Sequence, residues 1–216
     1  MLIRRGAHVA RLSRAIFDGM KPVHGLGSLG RELLESAALL HDVGASINRS
    51  KHHHHSRYLI LHAALAGFDR EEAKWIATMA RFHTGRPPKL SHPELAEFVP
   101  RDRRRILQLT AILRIADALD HSHRGRIVAV RVVDAPQGPI LEIASRDEDP
   151  TLELWAVEQK AALWGRCFGA TLRFQVRCFS LAGARHSSPG AAPQRAPYAS
   201  LRAARGTPLL RVTSRR

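Results

Sequence analysis

The sequence predicts a mainly α protein. It reads as a helical bundle over residues 1–124, a small β-β-α-β extension over 125–178, and a disordered basic tail over 179–216. Three observations predict this. Apolar residues recur at helical spacing through the first block. The period changes after Gly125, where Ile127–Val133 forms an unbroken β-prone run. Residues 181–216 then hold seven Arg and no Asp or Glu, in an Ala, Ser, Pro and Gly background without period.

The first helix follows Ile3, Val9, Leu12, Ile16 and Phe17, and Pro22 with the Gly25–Gly30 stretch ends it. A second carries Leu33, Leu34, Ala37 and Leu40 and stops at Gly44. A third carries Tyr58, Leu59, Leu61 and Leu65. Asp69 caps a fourth, with Glu71 and Glu72 in its first turn and Trp75, Ile76, Met79 and Phe82 on one face. Asp102 opens a long helix through Ile106, Leu109, Ile112, Leu113 and Leu119. Strands are expected at 127–133, 139–144 and 170–176, the first two joined at Gln137-Gly138, with a helix at 151–165. Trp155 and Trp164 of that helix are expected to pack in the extension.

The chain of 216 residues has 34 Lys and Arg against 19 Asp and Glu, a net charge of +15. That excess implies anionic partners. A hydrophobic fraction of 44% excludes a wholly disordered chain. Two cysteines, Cys167 and Cys178, exclude a disulfide scaffold and a cysteine zinc site. No apolar run approaches the ~18 residues of a membrane span. With no signal-peptide pattern, the expected location is cytoplasmic.

Histidine and aspartate carry the candidate chemistry. His8 lies on the first helix, His41-Asp42 closes the second, and His52–His55 form a run. His83 ends the fourth helix, and Asp117 sits among Ile, Ala and Leu in the long one. An acid in that setting costs free energy unless paired or ligated. Nitrogen and oxygen donors without sulfur suit Mg, Mn, Fe or Zn. Ordinary readings stand beside this one. Asp117 could pair with Arg114 at i−3, His83 could be a helix C-cap cation, and the histidine run could be a solvated helix start.

Together these residues resemble the HD superfamily of metal-dependent phosphohydrolases, in the order His8, His41-Asp42, Asp117. Leu39–Ile47, His52–Ile60, Ala66–Glu72, Arg81–Gly85 and Leu113–His123 are similar to the C-terminal HD-type domain of the Ppx/GppA phosphatases, the exopolyphosphatases and guanosine pentaphosphate phosphohydrolases. The resemblance spans roughly residues 5–178 and implies an HD-type bundle.

It also implies one or two divalent metal ions. His8, His41, Asp42 and Asp117 would hold the first, and His55 and His83 a second bridged by Asp42. His41 and Asp42 are the expected catalytic pair. His55 is taken from the run because it directly precedes Ser56-Arg57-Tyr58. Arg81, Arg86, Lys89 and Arg114 are the expected substrate-binding residues, with Arg103–Arg105 a further basic path. The expected substrates are polyphosphate or a phosphorylated nucleotide, and the expected assembly is a homodimer.

Complete relatives carry an actin-like catalytic module before this domain. The chain opens on the domain's first helix and holds no glycine-rich phosphate loop, so a separate N-terminal module is an expected partner. The alternative function is therefore a non-catalytic polyphosphate-binding and dimerisation module. Nucleic-acid binding through the tail explains the charge but not the buried acid, and is not expected.

Overall fold

The computed structural model describes residues 2–146, 149–178 and 210–211. Apart from Leu210–Arg211, the tail expected over 179–216 lies outside the described residues. The helices are α1 (Leu2–His24), α2 (Ser28–Leu40), α3 (His52–His62), α4 (Arg70–Phe82), α5 (Pro93–Ala96), α6 (Pro100–Ala118) and α7 (Thr151–Phe168). A 3-10 turn, Val43–Ser46, links α2 to α3. The strands are β1 (Ile127–Val133), β2 (Ile140–Ser145), β3 (Arg173–Cys178) and β4 (Leu210–Arg211).

The core is built around α6. Gln108 through Ala118 are all buried, so no face of this stretch meets solvent. The neighbours supply ordinary amphipathic stripes. Val9, Leu12, Ile16 and Met20 of α1 are fully buried, as are Leu34 and Ala37 of α2 and Ile76 and Met79 of α4. Asp69 caps α4 through a reciprocal capping box with Glu72, in the position the sequence indicates. Two starts are earlier than expected, α3 at His52 and α6 at Pro100, and the short α5 carries no periodic signal.

The sheet order is β1-β2-β3-β4. β1 and β2 form the expected antiparallel hairpin, and β3 returns parallel to β2 through the α7 crossover. β4 pairs antiparallel with β3. Trp164 is buried on α7, whereas Trp155 is 52% exposed and stands edge-on to His121. The two lie nine residues apart, about half a turn out of phase on a 3.6-residue helix, so only one can face the core.

Gly44 fixes how α3 sits on α2. A Cβ there would stand 2.3 Å from the His52 carbonyl oxygen and from the Ser56 backbone nitrogen. The Gly44 N–H also donates to the buried Ser56 hydroxyl at 2.9 Å. The glycine ending the second helix is thus required for a backbone-to-backbone approach. Gly44→Ala is expected to push α3 away and cost about 2 kcal/mol or more, read as a lower urea midpoint at unchanged slope.

Candidate metal and phosphate site

Four elements deliver ionisable side chains to one point beneath α1. His41 comes from the end of α2, and Asp42 follows it in the turn. His52 opens α3, His83 ends α4, and Asp117 is buried near the end of α6.

The three histidines share one local device. The ring Nδ1 of His41 lies 2.7 Å from the Ala38 carbonyl, that of His83 2.7 Å from Ala80, and that of His52 3.1 Å from Arg49. A carbonyl only accepts, so in the neutral ring Nδ1 carries the proton and Nε2 the lone pair. In all three the carbonyl belongs to the residue three positions earlier, so the tautomer is set by local backbone. Burial holds His83 well below the usual histidine range, and it is neutral. It is therefore not a C-cap cation.

Those lone pairs converge. His52 Nε2 is 3.2 Å from His83 Nε2 and 3.1 Å from Asp42 Oδ1, and His83 Nε2 is 3.4 Å from the same oxygen. Donors about 2.0–2.1 Å from one tetrahedral ion stand about 3.3–3.4 Å apart, so this triangle fits a single first-row cation. Two Nε2 atoms this close need a proton or a cation between them. His41 Nε2, 3.6 Å from Asp42 Oδ2 and 3.5 Å from Asp117 Oδ1, is buried without a hydrogen bond, and so is Asp42 Oδ1. His41, Asp42 and His83 could hold a metal ion, all three being buried and presenting donor atoms within 4.8 Å of one another.

Two cations of the chain enter the same cluster. Arg5 of α1 pairs with Asp42 through one terminal nitrogen and with Asp117 Oδ1 through the other at 2.7 Å. Lys160 of α7 pairs with Asp117 Oδ2. Burial alone would raise the Asp117 carboxyl, but Lys160 beside it holds it well below the usual carboxylate range. Neither cation is foreseen by motif. Both leave a simpler trace, since Arg5 shares the helical stripe of Val9 and Leu12, and Lys160 that of Val157 and Trp164. A cation on an apolar stripe needs a buried anion to face.

Above the cluster opens a cavity of about 670 Å³. Arg4, Arg5, Arg49 and Arg124 line it, with His8, His52, His123, Asp42 and Asp120. Two non-glycine residues with left-handed backbone flank it, Lys51 at φ 55° just before His52, and His123 at φ 57°. Such strain collects where side chains must be aimed.

The structure sorts the expected residues. His41, Asp42, His83 and Asp117 come together as expected. His8 lines the cavity but stands 3.9 Å from Asp120 Oδ1 and contacts Arg11, apart from the converging Nε2 atoms. His55 does not join them; its place is taken by His52. The Asn48 side chain accepts from the Ser50 N–H at 2.8 Å, a turn that starts α3 at His52 and puts His55 about 4.5 Å farther along the helix.

Arg81, Arg86, Lys89 and Arg114 do not line the cavity. Arg81 pairs with Glu94 at 3.3 Å and lies over the Phe82 ring. Arg114 does not pair with Asp117 by hydrogen bond. It donates to the Phe82 and Gly85 carbonyls, both at 2.8 Å, and holds the end of α4 in place. Arg103 is likewise spent on the Phe98 and Ala96 carbonyls. The positive charge over the cluster comes instead from α1 and the loops after α2 and α6.

A family model described as Ppx/GppA phosphatase, domain III, matches residues 3–157. No helix among the described residues is long and apolar enough to cross a membrane.

The buried neutral histidine makes stability depend on pH. The folded-state proton affinity of His83 is lowered, so between its folded value and about 6.5 the unfolded chain binds more protons. Stability is fully present above about pH 6.5 and falls as pH drops below it. The metal-free chain is expected to lose up to about 1.4 kcal/mol per pH unit from this histidine, measured as urea midpoints between pH 7.5 and 5.5.

Proposed function

We propose that this chain, which belongs to the Ppx/GppA phosphatase family through its domain III, is a metal-dependent phosphohydrolase of the HD type acting on phosphate anhydrides or esters. The observation that carries this reading is the triangle of His52, His83 and Asp42 donor atoms with 3.1–3.4 Å edges, at the floor of an arginine-lined cavity. The residues fit a divalent ion. The histidine tautomers are fixed with Nε2 free, and buried His41 Nε2 and Asp42 Oδ1 have no other hydrogen-bond partner. His41, His52, His83 and Asp42 would hold it.

A divalent ion there supplies Lewis acidity toward a phosphoryl oxygen and lowers the pKa of a water. The chain does the rest. Arg4, Arg49 and Arg124 draw a polyanion such as polyphosphate or a nucleotide into the cavity. Arg5 directs its guanidinium toward the same space and can neutralise charge on the phosphoryl oxygens. Asp42, with one oxygen toward the histidines and the other on Arg5, ties the donor set to that arginine. Asp120 lies 3.9 Å from both Arg5 Nε and His8 Nε2 and lines the same cavity.

One observation favours a second reading. Both oxygens of Asp117, an expected metal ligand, are already paired, with Arg5 and Lys160. A site neutralised by its own cations suits a polyphosphate-binding module that works beside a separate catalytic module. The two readings separate on metal content and turnover. Hydrolysis of short-chain polyphosphate or a nucleoside triphosphate with about one bound metal supports the first. Polyphosphate binding without metal or hydrolysis supports the second.

His52→Ala is expected to lose metal by elemental analysis and to lower kcat a hundredfold or more, whereas His55→Ala keeps both within about twofold. Equal loss in the two variants would place the ligand elsewhere in the histidine run. Arg49→Glu and Arg124→Glu, at exposed positions of the cavity wall, are expected to raise KM roughly tenfold with little change in kcat.

A further inference from the structure

Resting on that reading, we infer that Arg5 is a built-in substitute for a second metal ion, so that the site takes one divalent ion and not two. A second ion would need carboxylate oxygens of its own. Two-metal sites set their ions about 3.5–4 Å apart and require bridging or paired carboxylates. The acids within reach are Asp42, Asp117 and Asp120. Asp42 Oδ1 faces the histidines and is claimed by the first ion, while Asp42 Oδ2 is paired with Arg5. Asp117 Oδ1 is 2.7 Å from Arg5, and Asp117 Oδ2 is paired with Lys160. Asp120 Oδ2 is 3.9 Å from Arg5 Nε, and its Oδ1 accepts from the Gly125 N–H at 3.0 Å. The Arg5 guanidinium thus spans Asp42 and Asp117, the place where a bridged second ion would sit.

Charge leads to the same count. Three carboxylates face two resident cations, which leaves these five groups with one negative charge. One divalent ion turns this to a single positive charge, suited to a phosphoryl dianion entering from the cavity. A second would leave three positive charges in a pocket already ringed by Arg4, Arg49 and Arg124. Arg5 cannot release its proton to make room, since a guanidinium remains charged in proteins. Its side chain is only 18% exposed, and Asp42 and Asp117 hold it as a fork.

The histidine set supports one ion independently. The three converging Nε2 and carboxylate atoms form a single triangle. The remaining candidates for a second set, His8 and His123, line the cavity with Arg4 and Arg124 and have no contact with the His52, His83 and Asp42 triangle among those described. His8 is further engaged by Arg11 at 3.0 Å.

The test is metal stoichiometry on the whole chain, loaded with Mn²⁺ and dialysed, in wild type, Arg5→Gln and Arg5→Lys. The expected result is about one equivalent in wild type and in Arg5→Lys, and about two in Arg5→Gln, where the bridging oxygens are released. Electron paramagnetic resonance of Mn²⁺-saturated wild type gives a second readout that needs no variant, and an isolated six-line spectrum is expected. A spin-coupled pair or two equivalents in wild type overturns the inference, and so does one equivalent in Arg5→Gln that keeps its circular dichroism and melting profile. No metal in wild type defeats the metal reading itself, a distinct outcome from one equivalent in all three proteins.

Discussion

Asp117 is charged, 4% exposed, and set in a helix stretch that meets solvent on no side. A carboxylate in that position is tolerated only with its charge balanced at close range. The surrounding elements answer that requirement. α1 lends Arg5, α2 turns His41 toward it, and α7 reaches across from the extension with Lys160. The packing of three helices around α6 is therefore directed as much by one acid as by the apolar stripes. The stripes bring the helices together, and the acid sets which side chain of each must point inward.

The second constraint is backbone contact. The turn that presents His41 and Asp42 continues into Gly44, and α3 rests directly on that glycine. The distance from Asp42 to His52 is thereby fixed by main-chain packing and by the Ser56 hydroxyl, without reliance on flexible side chains. The histidines are held the same way, each ring anchored to the carbonyl three residues before it. A donor set aimed by backbone keeps its geometry whether or not a ligand is bound, which lowers the cost of ordering on binding.

Much of this was legible in the sequence. Period and caps gave the bundle, the hairpin and the crossover, and the His41-Asp42 pair with Asp117 marked where chemistry collects. The residues that were missed were missed for identifiable reasons. His55 precedes Ser56-Arg57-Tyr58, yet the helix begins at His52, six residues before its apolar pattern starts at Tyr58, after an Asn48 turn among polar residues. Arg81 and Arg114 are expected from sequence to bind substrate, but their partners are a carboxylate and two carbonyls brought close only by the fold. Arg5 and Lys160 lie 155 residues apart, and both meet one acid across elements that are not neighbours in the chain. No local pattern encodes such a meeting, although each cation sits on an otherwise apolar stripe.

The crossover helix has one more implication. The region shared with the family ends at residue 157, and Lys160 lies less than one helical turn farther along α7. The strands that α7 connects look like an appendage to the bundle, yet their connecting helix supplies half of the charge balance on its central acid. Separation of bundle from extension would strip that acid of a partner, so the bundle depends on the extension for its charge balance. Recombination at this seam would give a chain with an intact apolar core and a destabilising charge at its centre.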